Sequence, residues 1–319
     1  MTLPRRTVLL SLPPLLGAGC AGRRGERAAA AGTARRFAAA LDGAEEAVDG
    51  LISRMDGFER QAAAEEEAVA FATGRTPGGR ARGELPSRFT PAPAGAADAA
   101  GRVLDTAFAA LEDYAEVLAQ AAAGERVSDR EGLNGEQLAR AAGTALDALR
   151  GAGGGTVPEE ERRVGLQGIA ALADLPNQVA RGGRRPTESA LVAEAQPHIA
   201  ATASLLRAAI GAGPGQGARG AIAVRQSRLD ESQGRLLAAV RGDTRVGPTA
   251  RYNLFRSITD ARDDDPDEEA FEALLALIRA MEEAHAALGT GGADADAKVA
   301  VFEYAVLQLR SYNEASRRG

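Results

Sequence analysis

Tryptophan is absent from this 319-residue chain, and aromatic residues make up only 4% of it. Cysteine occurs once, at Cys20, lysine once, at Lys298, and histidine twice. A single cysteine cannot form an internal disulfide, and so few thiol and imidazole groups leave too few soft ligands for a tight transition-metal site. The fold must therefore be held together by the packing of a core that is poor in aromatic side chains.

Signature motifs of catalysis and cofactor binding are also missing. The sequence contains no Gly-x-Ser-x-Gly elbow, no His-Glu-x-x-His pair, no phosphate-binding loop and no dinucleotide fingerprint. These absences favour a non-enzymatic protein that carries no cofactor. The formal net charge of −6 argues against nucleic acid as a partner, because binding to phosphates requires a basic face.

Runs of β-branched residues that alternate with polar ones are missing as well, whereas helical periodicity extends along almost the whole chain. Short connections between successive helices predict antiparallel neighbours. The expected fold is therefore all-α, an up-and-down antiparallel helical bundle. We expect a helical section over 20–210 that includes a Gly-, Pro- and Arg-rich linker at 74–97. A C-terminal helical subdomain over 221–319 follows, and the alternative is one continuous domain.

The clearest periodic signal predicts one long N-terminal helix from about Ala28 to Ala72. Apolar residues recur there at alternating spacings of three and four, which is the heptad pattern of a coiled-coil seam. The nine seam positions are Ala34, Phe37, Leu41, Ala44, Val48, Leu51, Met55, Phe58 and Ala62.

A glycine stripe, Gly43, Gly50 and Gly57, runs beside this seam. Each glycine follows an aspartate in the repeated heptads LDGAEEA, VDGLISR and MDGFERQ of residues 41–61. Asp-Gly is typical of a turn, but turns every seven residues would break the seam, so we interpret the segment as helix. Small residues along one helix edge allow another helix to approach closely. That helix is either a neighbour within the bundle or part of another chain, in which case the stripe is a docking groove for a partner.

Local signals predict where several other helices begin. Asn134 and Gln137 form a capping box, and Thr156 with Glu159 forms a second one. In the acidic run at 263–269, Asp265 is the expected N-cap and Pro266 the first helical residue, an explanation that we prefer to a calcium site. Half of the Phe and Tyr residues lie after residue 250, which places the thickest part of the core near the C-terminus.

The two histidines are the remaining candidates for ligand binding. Glu282 and His285 form a Glu-x-x-His pair on one helix face, which is half of the motif that a ferritin-like di-iron site requires. His198 lacks a Glu three residues before it, so no second pair exists, and we predict no metal site. The region around His198, Glu282 and His285 remains a candidate for binding a small ligand.

The N-terminus has the layout of an export signal. Arg5 and Arg6 precede an apolar stretch that is too short to span a bilayer, and small residues lead to the only cysteine. The segment Leu16-Gly17-Ala18-Gly19-Cys20 resembles the lipobox of bacterial lipoproteins. That resemblance implies cleavage of residues 1–19, acylation of Cys20 and a protein anchored in a membrane of the cell envelope. The alternative is a plain secretory signal followed by an incidental cysteine.

The resemblance also implies a location. An acylated Cys20 without Asp at position 21 favours a protein that faces the periplasm and is sorted to the outer membrane rather than the inner one. The paired arginines resemble a twin-arginine export signal, and the alternative is the general secretory route. The sequence thus predicts a cell-envelope helical lipoprotein that binds an unknown protein partner or scaffolds an assembly. The alternative is a periplasmic helical bundle that binds a small molecule or a metal.

Overall fold

The computed structural model describes residues 18–74, 95–127, 134–182, 186–213, 215–262, 265–266 and 268–315, with side chains from residue 28 to residue 314. These residues form nine helices: α1 (Ala18–Ala72), α2 (Ala96–Ala122), α3 (Gly135–Gly151), α4 (Glu159–Arg181), α5 (Glu188–Ile210), α6 (Gly217–Gly242), α7 (Pro248–Arg262), α8 (Glu268–Leu288) and α9 (Gly292–Ala315). Successive helices pack in antiparallel fashion, so the predicted all-α bundle is confirmed. Most of the predicted linker, residues 75–94, lies outside the described residues.

Helix α1 is the long heptad-patterned helix that the sequence predicts, although it begins at Ala18, ten residues before the expected start. All nine seam positions are at most 8% exposed, which confirms the seam. They pack against α2 on one side and against α6, α8 and α9 on the other. A single long helix can contact so many others because its apolar stripe continues for more than 40 Å at ~1.5 Å per residue.

Two helix starts illustrate where local signals suffice and where they fail. Asn134 Oδ1 accepts a hydrogen bond from Gln137 N at 3.0 Å, so the predicted cap of α3 is confirmed. The predicted cap at Thr156 is wrong, because α4 begins at Glu159 after Pro158, whose side chain makes no capping bond. Three glutamates in the first turn of α4 lie at the positive end of its dipole and stabilise this start instead.

The expected concentration of the aromatic core near the C-terminus is also wrong. Tyr252 and Phe255 on α7 and Tyr304 on α9 are 59–64% exposed. The largest fully buried side chains are instead Tyr114 and Phe108 of α2, Phe37 of α1 and Phe302 of α9. Aromatic content along a stretch of sequence does not reveal which helix face the rings occupy.

The glycine-rich stretch at 211–220 forms a tighter connection than the sequence suggests, because α6 already begins at Gly217. Gly211 has φ +111° and Gly217 has φ +55°, conformations that side-chain-bearing residues rarely adopt. A Cβ on Gly217 would lie 2.4 Å from the Gly211 backbone nitrogen. One apolar cluster includes core residues from helices on both sides of this connection.

Candidate docking groove beside the glycine stripe

The three stripe glycines lie in different surroundings although they occupy equivalent heptad positions. A Cβ on Gly43 would lie 3.3 Å from Val306 Cγ1, and one on Gly50 would lie 2.7 Å from Asn313 Nδ2. Both neighbours belong to α9, so this helix packs on the stripe at its first two glycines. At Gly57, one heptad further, no described atom lies within 4 Å of the Cβ position.

Gly57 borders a groove of about 530 Å³ between α1, α6 and α7. Its floor is apolar: Phe58 and Ala62 come from α1, and Leu229 comes from α6. Polar side chains of α1, among them Gln61 and Glu65, line its length. An apolar floor with a polar rim is the arrangement by which a groove takes up the apolar face of an amphipathic helix.

Helix α7 forms the outer wall of this groove through Leu254, Ile258 and Ala261, spaced four and three residues apart. Ile258 is the one buried residue among those of α7. Of the described helices, α7 packs principally against α6. Few buried apolar side chains are typical of a segment with low local stability.

Two arginines at the rim, Arg54 and Arg262, make contacts within the protein. Arg54 donates a hydrogen bond to the Asp265 carbonyl at 3.3 Å, and Arg262 pairs with Asp230 at 2.5 Å. Asn313 closes the end of the groove nearest α9, donating from Nδ2 to the Ala47 carbonyl at 2.7 Å. Its Oδ1 is buried and has no hydrogen-bond partner among the described residues.

The ligand candidates His198, Glu282 and His285 are used in separate ways. His285 is fully buried; its Nε2 lies 2.8 Å from Tyr114 Oη and its Nδ1 lies 2.6 Å from Gln196 Oε1. Because Gln196 Oε1 can only accept, Nδ1 carries the proton and Nε2 accepts from the tyrosine. Burial lowers the pKa of His285 to about 3, so the ring is neutral at physiological pH. This network joins α2, α5 and α8 inside the core.

Glu282, one turn before His285, contacts a different residue of α5. Its Oε2 pairs with Arg207 on α5 at 2.8 Å. His198 lies half-buried on α5, with its carbonyl next to Gly168 of α4. In the described parts of the chain, no three His, Cys, Asp or Glu side chains are grouped so that they could hold a metal ion.

A second polar feature, which the sequence did not reveal, is a row of carboxylates between α1 and α2. Burial, a hydrogen bond to Glu45 and the charge of Glu45 raise the pKa of Glu112 to about 8. Burial and the neighbouring charge of Asp49 raise the pKa of Asp105 to about 6. Facing carboxylates in a partly desolvated position cannot all ionise, so protonation of Glu112 relieves their repulsion near neutral pH.

Sequence reasoning identified one edge of the groove but not its other walls, because those walls come from distant segments. The Gly57 edge of α1 was visible as part of the stripe, and the apolar face of α7 has helical spacing that a pattern search could have found. That α7 would lie beside Gly57 while α9 covers Gly43 and Gly50 depends on tertiary packing. The unpartnered Oδ1 of Asn313 has no signal in the sequence.

The predicted lipid attachment site, Cys20, lies near the start of α1, and residues 1–17, which hold most of the predicted export signal, lie outside the described residues. Among the helices that the structure describes, none is both long and apolar enough to pass through a bilayer. Comparison of the chain with protein-family models, curated protein sequences and solved structures finds no match.

Proposed function

We propose that this protein is a non-enzymatic, lipid-anchored protein of the bacterial cell envelope that binds a helix of a partner protein in the groove beside Gly57. The anchor rests on the resemblance of Leu16-Gly17-Ala18-Gly19-Cys20 to a lipobox. The choice of a protein partner rests on the glycine stripe and on the groove into which it leads.

One observation carries the proposal: a helix already packs on this edge of α1. Val306 Cγ1 of α9 lies 3.3 Å from the Cβ position of Gly43, a close approach of the kind that small residues allow between helices. Gly57 has the same place in its heptad and is bare among the described residues. The edge that accepts α9 at two positions thus offers the same surface at a third.

The dimensions of the groove define its occupant. The lining residues of α1 run from Gly50 to Glu65, about 22 Å of helix at ~1.5 Å per residue. A volume of about 530 Å³ accommodates a few apolar side chains from one face of a helix rather than a whole helix. We expect an amphipathic partner helix of about four turns, with a small residue against Gly57 and larger apolar residues against Phe58 and Leu229.

Site-specific photo-cross-linking in cells tests the proposal. A photoreactive residue at Gln61, which is exposed and lines the groove, should give an adduct of one defined mass in the membrane fraction. The same residue at Ala63, exposed on the same helix but outside the groove, should not give it.

Two glycine variants make the result specific to the groove. Gly57→Leu fills the space above α1 and should abolish the Gln61 adduct. Gly32→Leu is the matched control, because Gly32 also lies within α1 and has nothing within 4 Å of its Cβ position. An adduct that survives Gly57→Leu, or one that appears equally from Ala63, would overturn the assignment of this groove as the docking site.

The anchor is tested separately. The wild-type protein should incorporate labelled fatty acid and remain with membranes, whereas Cys20→Ser should be unlabelled and released. If the label persists in Cys20→Ser, the lipid is elsewhere and the proposed attachment site is wrong.

A second candidate function, the binding of a small apolar molecule, is favoured by the volume of the groove, which falls within the range of roughly 300–1,000 Å³ typical of ligand pockets. Native mass spectrometry of protein purified from membranes distinguishes the two. A bound small molecule that is displaced by Gly57→Leu, without any cross-linked protein at Gln61, would replace the protein partner with a small ligand.

A further inference from the structure

The outer face of α9 carries an uncharged stripe that is separate from the docking groove. Exposed residues recur along it at alternating spacings of four and three: Ala293, Ala297, Ala300, Tyr304, Leu307 and Ser311. Val301 lies directly beside the stripe. Tyr304, Leu307 and Val301 are 64%, 60% and 54% exposed, respectively.

This spacing is that of a coiled-coil seam. The opposite face of α9 supplies the core residues Val299, Phe302 and Leu309, which pack towards α1 and α8. Helix α9 is therefore apolar on two faces, of which the bundle covers one. Clustered large apolar side chains left in solvent are typical of a surface that associates with another molecule.

We infer that this stripe pairs with the same stripe of a second copy of the chain, with the two α9 helices antiparallel about a two-fold axis. In that register, Ala300 lies opposite Tyr304 of the second copy, and Ala297 lies opposite Leu307 of the second copy. Every large side chain of the seam then meets a small one, so the face is complementary to itself, as a two-fold interface requires.

The charges that flank the stripe agree with the same register. Asp296 on one copy lies across the seam from Arg310 on the other, and the pair occurs twice by symmetry. Each already has a partner within its own chain, Arg36 at 3.5 Å for Asp296 and Glu46 at 2.6 Å for Arg310, so the pair across the seam would join existing ion pairs at the rim. Glu303 faces its own counterpart near the axis, but its two oxygens already accept hydrogen bonds from Arg36 at 2.9 and 2.6 Å, which compensates its charge. On the other flank, Val301 meets Val301 of the second copy.

The area of the stripe is small for an interface between two copies of the chain. Val301, Tyr304 and Leu307 together expose on the order of 400 Å² per copy, so pairing buries roughly 800–1,000 Å² in total, below the ~1,200–2,000 Å² of stable interfaces. We therefore expect a weak, concentration-dependent dimer.

Sedimentation equilibrium on the purified full chain carrying Cys20→Ser tests this inference. The substitution removes both the predicted acylation site and the only thiol of the chain, so neither can cause association. The protein should show a monomer–dimer equilibrium, and Leu307→Glu should weaken association at least tenfold while helix content is unchanged. A chain that stays monomeric at several hundred micromolar overturns the inference. So does a monomer whose binding to lipid vesicles is lost in Leu307→Glu, because the stripe would then contact a membrane.

Single-cysteine variants in the Cys20→Ser background test the register. Val301→Cys should form a disulfide-linked dimer on mild oxidation, because the two residues meet near the axis. Ala293→Cys should not, because in the antiparallel arrangement it lies opposite Ser311 of the second copy, far from its own counterpart. Efficient linkage at Ala293 would indicate a parallel pair and overturn the register. None of these measurements involves the groove beside Gly57, so they are independent of the proposed function.

Discussion

Replacing Gly50 or Gly57 with alanine makes the same chemical change at equivalent positions of one helix, yet we expect opposite effects on stability. In both cases alanine raises intrinsic helix propensity by about 1 kcal/mol. At Gly57 the added methyl group enters open space, so the full gain should appear. We expect Gly57→Ala to raise the free energy of unfolding by about 1 kcal/mol and the melting temperature by about 2 °C.

At Gly50 the methyl group would lie 2.7 Å from Asn313 Nδ2, which donates a buried hydrogen bond to the Ala47 carbonyl at 2.7 Å. Displacing Asn313 leaves a buried donor unsatisfied, at about 1–3 kcal/mol, and overpacking costs a similar amount. After the gain in helix propensity is subtracted from these two costs, we expect Gly50→Ala to lower the free energy of unfolding by about 1–5 kcal/mol.

Denaturant unfolding followed by far-UV circular dichroism measures the free energy of unfolding of both variants. The critical comparison repeats Gly50→Ala in a protein that also carries Asn313→Ala. With the Asn313 amide removed, the same Gly50→Ala change should become stabilising by about 1 kcal/mol, because its obstacle is gone. Gly32→Ala, another substitution into open space on α1, should match Gly57→Ala.

The reasoning would be refuted if Gly50→Ala stabilised the protein as much as Gly57→Ala. Asn313, and with it α9, would then not lie on the stripe. Equal destabilisation by both variants would instead mean that something covers Gly57 in the monomer, and the groove would not be open.

Three further predictions concern buried polar groups. Glu59 accepts hydrogen bonds from Ala96 N at 3.1 Å and Ala97 N at 2.8 Å. Glu59→Gln should therefore lower the free energy of unfolding by about 1–2 kcal/mol and speed hydrogen exchange of the amides at the start of α2. Unchanged exchange rates would contradict this role of Glu59. Since the pKa of Glu112 is raised to about 8, the wild-type protein loses stability as pH rises from 4.5 to 8. Glu112→Gln should therefore be more stable than the wild type by about 1–2 kcal/mol at pH 9, after solvent screening, and about equally stable at pH 4. Urea unfolding midpoints of both proteins at the two pH values check this. His285→Phe leaves the two hydrogen-bond partners of His285 unsatisfied and should lower the free energy of unfolding by about 2–4 kcal/mol at pH 7. Because the pKa of His285 is lowered, the wild type loses stability as pH falls from 6.5 towards 3, so the difference in stability between the two proteins should be smaller at pH 4. A difference that is the same at both pH values would show that the ring does not titrate as described.

The α1 seam and the Asn134 cap could be predicted from sequence because both are local. Apolar residues at heptad spacing lie on one helix face whatever packs against them, and Asn134 bonds to a backbone group three residues away. The Thr156 cap failed although its pattern was equally good. Pro158 and three consecutive glutamates moved the start of α4 to Glu159, and a pattern match does not weigh such alternatives.

Contacts between distant segments required the tertiary structure. Helix α2 has no capping side chain of its own; Glu59, 37 residues earlier on α1, supplies it, and a Cβ on Gly95 would collide with that carboxylate. The α3 amide at Gly135 is likewise satisfied by Asp174 from α4. A backbone donor can be bonded by any acceptor that folding brings within reach, so the sequence around it does not identify its partner.

The glycine stripe shows most clearly which features the sequence determines and which depend on tertiary packing. By itself the sequence determined that Gly43, Gly50 and Gly57 share one edge of a long helix, since a heptad repeat returns each residue to nearly the same angle around the helix axis. It could not determine that α9 covers the first two and leaves the third beside a groove walled by α7. Helical periodicity fixes the direction in which a side chain points, whereas what lies in that direction depends on how the whole chain packs.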